Sequence, residues 1–116
     1  MFQQAPVAAT IADSQIERLA RFFPSAIRIS VPVRVSAVAV NGGSSEDTLI
    51  EFGTANEVLF SSALPLEFED KVILKTADGS LDAEANVVAV QLNNGKLAIA
   101  ARFSHKVTNW IIKAKP

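Results

Sequence analysis

Residues 27–40, IRISVPVRVSAVAV, limit what this chain can become more than any other stretch. The odd positions Ile27, Ile29, Val31, Val33, Val35, Ala37 and Ala39 are apolar, whereas Arg28, Ser30, Pro32, Arg34 and Ser36 occupy the even ones. A repeat of two, rich in Val and Ile, separates the faces of a half-buried strand and does not fit a helix. Arg28 and Arg34 fall on the same polar face, about 20 Å apart at the rise of an extended chain. A small β domain follows. The residues alone show no reaction, so function is sought in what that polar face meets.

With 116 residues the chain makes one domain, long enough to bury about two-thirds of its unfolded surface. Apolar residues make up 49% and charged ones 20%, which suits a globular core and excludes a disordered tail. A net charge of -1, with both signs interspersed, leaves no electrostatic footprint for nucleic acid or an anionic membrane. Without cysteine there is no disulfide framework, thiolate nucleophile or Cys-based zinc site. The opening MFQQAPVAATIA lacks the basic region of a secretory signal, and no run approaches the roughly 18 apolar residues of a membrane span. A soluble cytoplasmic protein is expected.

Along the chain, residues 1–13 read as a loose N-terminal arm. Ser14 and Glu17 match a capping box, and Ile16, Leu19, Ala20 and Phe23 share the apolar face of a short helix over 14–23 that Pro24 terminates. Such a helix is too short to stand alone and must cover something apolar. After the opening strand, residues 41–45 form a turn, and 48–52 and 58–61 read as the second and third strands. In the connection between them Gly53 and Asn56 can take positive φ. Pro65 leads to the acidic Glu67-Phe68-Glu69-Asp70, followed by a fourth strand over 71–76. Asp78-Gly79 signals a hairpin into a fifth strand over 80–92, with Leu81, Ala83, Ala85, Val87 and Ala89 on one face. Asn94-Gly95 turns the chain into a sixth strand, along which Leu97, Ile99, Ala101 and Phe103 alternate. Ser104 can cap a C-terminal helix over 104–113, with Val107, Trp110 and Ile111 on one side and Lys113 and Lys115 near its negative pole. Six antiparallel strands between two terminal helices favour a small closed or nearly closed barrel over 27–103, the last helix plugging a mouth or covering an open edge.

An arginine entering a Val-rich strand, a bend through Ala-Leu-Pro-Leu, the turn and strand EFEDKVIL, the strand AEANVVAV and a last strand closing on AARF together resemble a PilZ domain over about residues 21–112. The resemblance implies a mainly β, six-stranded antiparallel PilZ-like barrel of bacterial signalling type. It also implies a site for cyclic di-GMP, held in the family by an RxxxR motif before the first strand and a [D/N]xSxxG motif on the next two. With Arg28 as the second arginine, the first position falls on Pro24, and Arg21 lies outside that spacing. The second motif falls on Glu51-Phe-Gly-Thr-Ala-Asn56 or, one residue later, on Phe52-Gly-Thr-Ala-Asn-Glu57, and neither frame ends in glycine. The candidate ligand set is Arg21, Arg28, Arg34, Glu51, Thr54 and Asn56. Paired arginine forks on phosphates are worth about 1.5–3 kcal/mol per charged hydrogen bond. Proline in place of one arginine removes a fork, and Glu57 in place of glycine brings negative charge near the phosphates. The resemblance therefore implies a degenerate member with weak or lost nucleotide binding.

The remaining features have ordinary readings. Arginines on a strand's polar face are commonly solvated or ion-paired. His105, the sole histidine, cannot build a metal site alone and suits a surface. Trp110 at helical spacing suits the core or a barrel plug. Glu67–Asp70 lacks the ligand spacing of a calcium loop. Glu46, Asp47 and Glu51 have no partner nucleophile in the pattern, so neither an enzyme nor a cofactor is expected. The leading expectation is a non-catalytic regulatory module that binds another protein or a second copy. A cyclic di-GMP receptor with atypical ligands is the alternative, and a small barrel binding single-stranded nucleic acid is a third, disfavoured by the balanced charge.

Overall fold

The computed structural model describes residues 15–38, 44–93, 95–107 and 109–113. The 1–13 arm, the Ser14 cap, most of the 41–45 turn, Asn94 and Lys115 lie outside them. Six strands, β1 (Ile27–Ala37), β2 (Ser45–Gly53), β3 (Glu57–Ser62), β4 (Lys71–Lys75), β5 (Asp82–Asn93) and β6 (Lys96–Phe103), follow one short helix, α1 (Gln15–Ala20). They close into a barrel in the order β1-β2-β3-β6-β5-β4, every neighbouring pair antiparallel.

The alternation read in β1 decides the inside of this barrel. Val33 and Val35 are buried, Ile29 and Val31 pack beside them, and Ile50, Val58, Phe60, Leu74 and Ile99 complete the core. Arg28 and Arg34 are both exposed on the outer face. Leu97, Ile99, Ala101 and Phe103 of β6 all turn to this interior core. The fifth strand departs from the expected pattern at one residue. A register break between Val87 and Ala89 places Ala89 outside, because one extra residue in a bulge reverses every later side chain.

That reversal serves α1. Ile16 and Leu19 are buried against Leu59, Ala98 and Ala100 on the outer face of β3 and β6, with Ala20, Phe23, Val88 and Ala89 around them. Alanine stubs on the sheet let a helix of only six residues sit close enough to bury its apolar stripe. The chain leaves the helix through 3₁₀-type bonds, Arg21 N to Arg18 O at 3.2 Å and Phe22 N to Leu19 O at 3.1 Å, so regular helix stops short of the expected 23.

Both mouths are filled by the chain itself. At one, the 63–70 crossover between β3 and β4 drops Leu66 into the core. Glu46 pins the start of that crossover, accepting hydrogen bonds from Ser62 Oγ at 3.0 Å, Ala63 N at 2.8 Å and Leu64 N at 3.2 Å. At the other, the segment after β6 carries Trp110, 2% exposed, into the interior core. Described residues within 104–113 form bends and a turn, and no helix. The expected C-terminal helix is replaced by an irregular plug. Long-range bonds take the chain elsewhere: Ser104 N donates to Glu84 O at 2.9 Å, and the Trp110 indole N–H donates to Thr54 O at 2.7 Å. Of the two placements expected for this segment the plug is the one formed, without the helix.

The β4–β5 hairpin is closed by Asp78, which accepts bonds from Ser80 N at 2.9 Å, Ser80 Oγ at 2.7 Å and Thr76 Oγ1 at 2.8 Å. The Ser80 amide, then the Ser80 and Thr76 hydroxyls, hold its carboxyl at about 2, below the usual 3.8. Because the folded value is depressed, the contribution is complete above the ordinary carboxylate range and disappears as pH falls from about 4 through about 2. An NMR titration of the Asp78 carboxyl carbon is expected to give a midpoint near 2. A midpoint in the ordinary range would remove this account of the turn.

Candidate functional site

At the mouth closed by Trp110, β2 ends at Gly53, β3 begins at Glu57 and β6 ends at Phe103. The turn between β2 and β3 is built on Thr54. Its hydroxyl accepts from Asn56 N at 3.0 Å and Glu57 N at 2.9 Å, and donates to the Glu57 carboxylate. The other oxygen of that carboxylate takes Arg102 Nε at 3.0 Å across the β3–β6 ladder. Behind the turn, the Trp110 ring meets Phe103 edge-on, with centroids 5.5 Å apart and an interplanar angle of 75°. One chain of contacts thus runs from Arg102 through Glu57 and Thr54 to Trp110.

Gly53 makes this packing possible. A Cβ there would stand 3.0 Å from Trp110 Cζ2 and 3.1 Å from both Ile112 Cδ1 and Ile29 Cδ1. The expected positive φ is absent at Gly53 and at Asn56; among the described residues only Glu69, Gly79 and Gly95 take it. Glycine is needed for room and not for backbone freedom. Gly53→Ala is expected to destabilise the fold by about 1–3 kcal/mol, the usual effect of an added methyl in a filled core, measured by urea unfolding. An unchanged midpoint would mean the plug yields easily.

Outside the Thr54 turn runs a groove of about 770 Å³, lined by Phe22, Phe23, Pro24 and Ile27 together with Thr54–Glu57, Arg102, Ile112 and Lys113. A second lobe of about 540 Å³ shares Ala55, Asn56, Ile112 and Lys113 and continues past Phe103, Ser104, His105, Lys106 and Val107. The surface combines apolar walls, cationic groups and an exposed amide at Asn56, which suits binding. Among the described residues no group of three or more His, Asp or Glu stands together as a metal would require. None of their helices is long and apolar enough to cross a membrane.

The sequence-derived ligand set does not converge here. Thr54 and Asn56 line the groove, as expected of a turn at a strand end. Arg28 points elsewhere: its guanidinium lies 2.8 Å from Glu17 of α1 and 4.6 Å from the centroid of the Phe52 ring. Arg34 pairs with Asp47 at 3.2 Å and lines a separate hollow with Thr48 and Lys75. Glu51 is half-buried where the β2–β3 register breaks between Ile50 and Phe52. Arg21 is exposed in the turn after α1. Of the three carboxylates Glu46, Asp47 and Glu51, Glu46 is occupied by the crossover amides and Asp47 by Arg34.

The groove residues that the sequence did not single out are Phe22, Arg102 and Ile112, and Ile27, expected on the apolar inward face of β1, is instead 52% exposed there because it stands at the strand's open end. One signal pointed to Phe22: in Phe22-Phe23-Pro24 only Phe23 fits the helical apolar face, leaving its neighbour to point away. Arg102 and Glu57 lie 45 residues apart and carried no such signal. No protein-family model, no curated protein and no solved structure matches this chain.

Proposed function

We propose that this chain is a non-catalytic, PilZ-like regulatory module that works by binding another protein chain through the groove beside the Thr54 turn, with affinity for cyclic di-GMP weak or lost. The observation that carries this reading is Arg28. The arginine that the family's first motif would aim at a phosphate is held instead by Glu17 and the Phe52 face, on the outer wall of the barrel. A phosphate would have to displace a carboxylate already in place. Glu57, which stands at the motif's glycine in one frame, brings a further carboxylate to the groove. The closed antiparallel six-stranded barrel supports the likeness at the level of architecture.

Calorimetric titration with cyclic di-GMP tests the reading. No heat is expected at ligand concentrations up to about 1 mM, where even 4 kcal/mol of binding energy would register. Micromolar binding abolished by Arg28→Ala would instead establish a nucleotide receptor with atypical ligands, for which Thr54 and Asn56 in the groove wall would be the natural partners.

A further inference from the structure

The groove has a complement on the same molecule. Among the described residues its two lobes bring Arg102, Lys106 and Lys113 together with one carboxylate, Glu57, which pairs with Arg102, in a chain whose acidic residues outnumber its basic ones twelve to eleven. Apolar side chains stand open at its rim, Phe22 at 72% and Ile27 at 52% exposure. The turn at 67–70 has the opposite character. Phe68 is 64% exposed there and sits among Glu67, Glu69 and Asp70.

That turn is a built feature. Glu67 N donates to Asp70 Oδ2 at 2.8 Å, Asp70 N to Glu67 O at 3.0 Å and Glu69 N to Val87 O at 2.8 Å. Glu69 itself is held at φ 75, a left-handed conformation that a glutamate adopts only against steric resistance. The backbone is thereby fixed with an aromatic ring facing water between carboxylates. None of residues 67–70 lines the groove of its own chain.

The geometry points to a head-to-tail contact between copies, in which the Glu67–Asp70 turn of one copy seats Phe68 in the Phe22–Ile27–Ile112 groove of the next. Glu67 and Glu69 then face the cations at the groove's rim. Opposite charge selects this partner over a neutral or basic one, and the aromatic ring fills the apolar wall. Turn and groove lie at opposite mouths of the barrel, so end-to-end stacking leaves one of each free at the two ends and builds rings or open chains. The inference rests on the protein-binding reading above and names the partner of that same groove.

One aromatic anchor with exposed ion pairs predicts weak association, so the test is sedimentation of the full chain at concentrations up to about 1 mM, at low and high salt. Wild type is expected to show species larger than a dimer that dissociate as salt rises. Phe68→Ala and Phe22→Ala change exposed side chains, and each variant alone is expected to stay monomeric with an unchanged melting temperature. Mixed together they should form a 1:1 dimer and nothing larger, since one copy keeps an intact groove and the other an intact turn. Wild type monomeric throughout, variants that still associate, or a mixture with no dimer would each overturn the contact. A monomeric wild type that also gives no heat with cyclic di-GMP would leave the protein-binding reading standing with a different partner. Micromolar nucleotide binding would remove that reading itself.

Discussion

Trp110→Ala is expected to lower stability by about 3–5 kcal/mol, the range for removing a large aromatic from a core. Two losses combine. The ring is 2% exposed and fills the barrel mouth against Phe103 and Gly53, so its deletion leaves a cavity bounded by strands that cannot collapse inward. Its indole N–H also donates to Thr54 O at 2.7 Å, and a buried carbonyl left without a donor carries a penalty of about 1–3 kcal/mol. Trp110→Phe separates the two, keeping most of the ring while removing the donor, and should fall well short of the alanine variant. Urea unfolding of both, followed by far-ultraviolet circular dichroism, is the measurement. In the alanine background Gly53→Ala should lose much of its effect, because the nearest atom it meets, Trp110 Cζ2, is gone. Additive effects of the two substitutions would show that the plug and the glycine do not touch in solution.

Leu19→Ala is expected to lower stability by about 2–5 kcal/mol and to release α1 from the barrel. Leu19 is 2% exposed and lies at the centre of the outer cluster with Ile16, Leu59, Ala98 and Ala100. A six-residue helix has no stability of its own, so its hydrogen bonds depend on that apolar contact. The barrel's interior core is built from other residues and should persist, which gives the variant a signature beyond its midpoint. Amide exchange in Gln15–Ala20 should become fast while β3 and β6 stay protected. The Glu17 partner of Arg28 would be displaced with the helix, leaving the arginine on Phe52 alone. Loss of protection throughout the sheet would mean that helix and barrel fold as one unit.

The two cores differ in how far they could be read from residues. The interior core follows from alternation: Val33, Val35, Ile99 and Ala101 lie where a period of two places them. The face of α1 follows equally from the spacing of Ile16, Leu19, Ala20 and Phe23. Local backbone geometry fixes both, since a strand or helix presents its side chains at a set angle whatever it packs against. Ala89 escaped this logic because a bulge is a property of two paired strands, and nothing within β5 itself marks where the extra residue falls.

The mouth of the barrel was the least legible part. Trp110 carried the signal of a buried aromatic, and it is buried. Its spacing from Val107 nevertheless suggested helix, where the chain instead runs irregularly to reach Thr54, 56 residues earlier. Propensity within the segment is weak against a buried indole bond and a filled core. The candidate ligand residues stand apart for a related reason. Arg28 and Arg34 share the outer face of β1, as alternation requires, but their partners Glu17 and Asp47 belong to other elements.

The amino-acid order by itself determined a mainly β fold of six strands, the inward face of most of β1 and of β6, and the buried stripe of the first helix. These follow from periodicities of about 2 and 3.6 residues that act over a few neighbours. Only the tertiary structure decided that the barrel closes in the order β1-β2-β3-β6-β5-β4, that Trp110 seals one end without a helix, and that Phe22, Arg102 and Ile112 meet in one groove. Those outcomes depend on which distant strand ends come together when the sheet closes. Contacts between residues so far apart in the chain leave no mark in the local pattern.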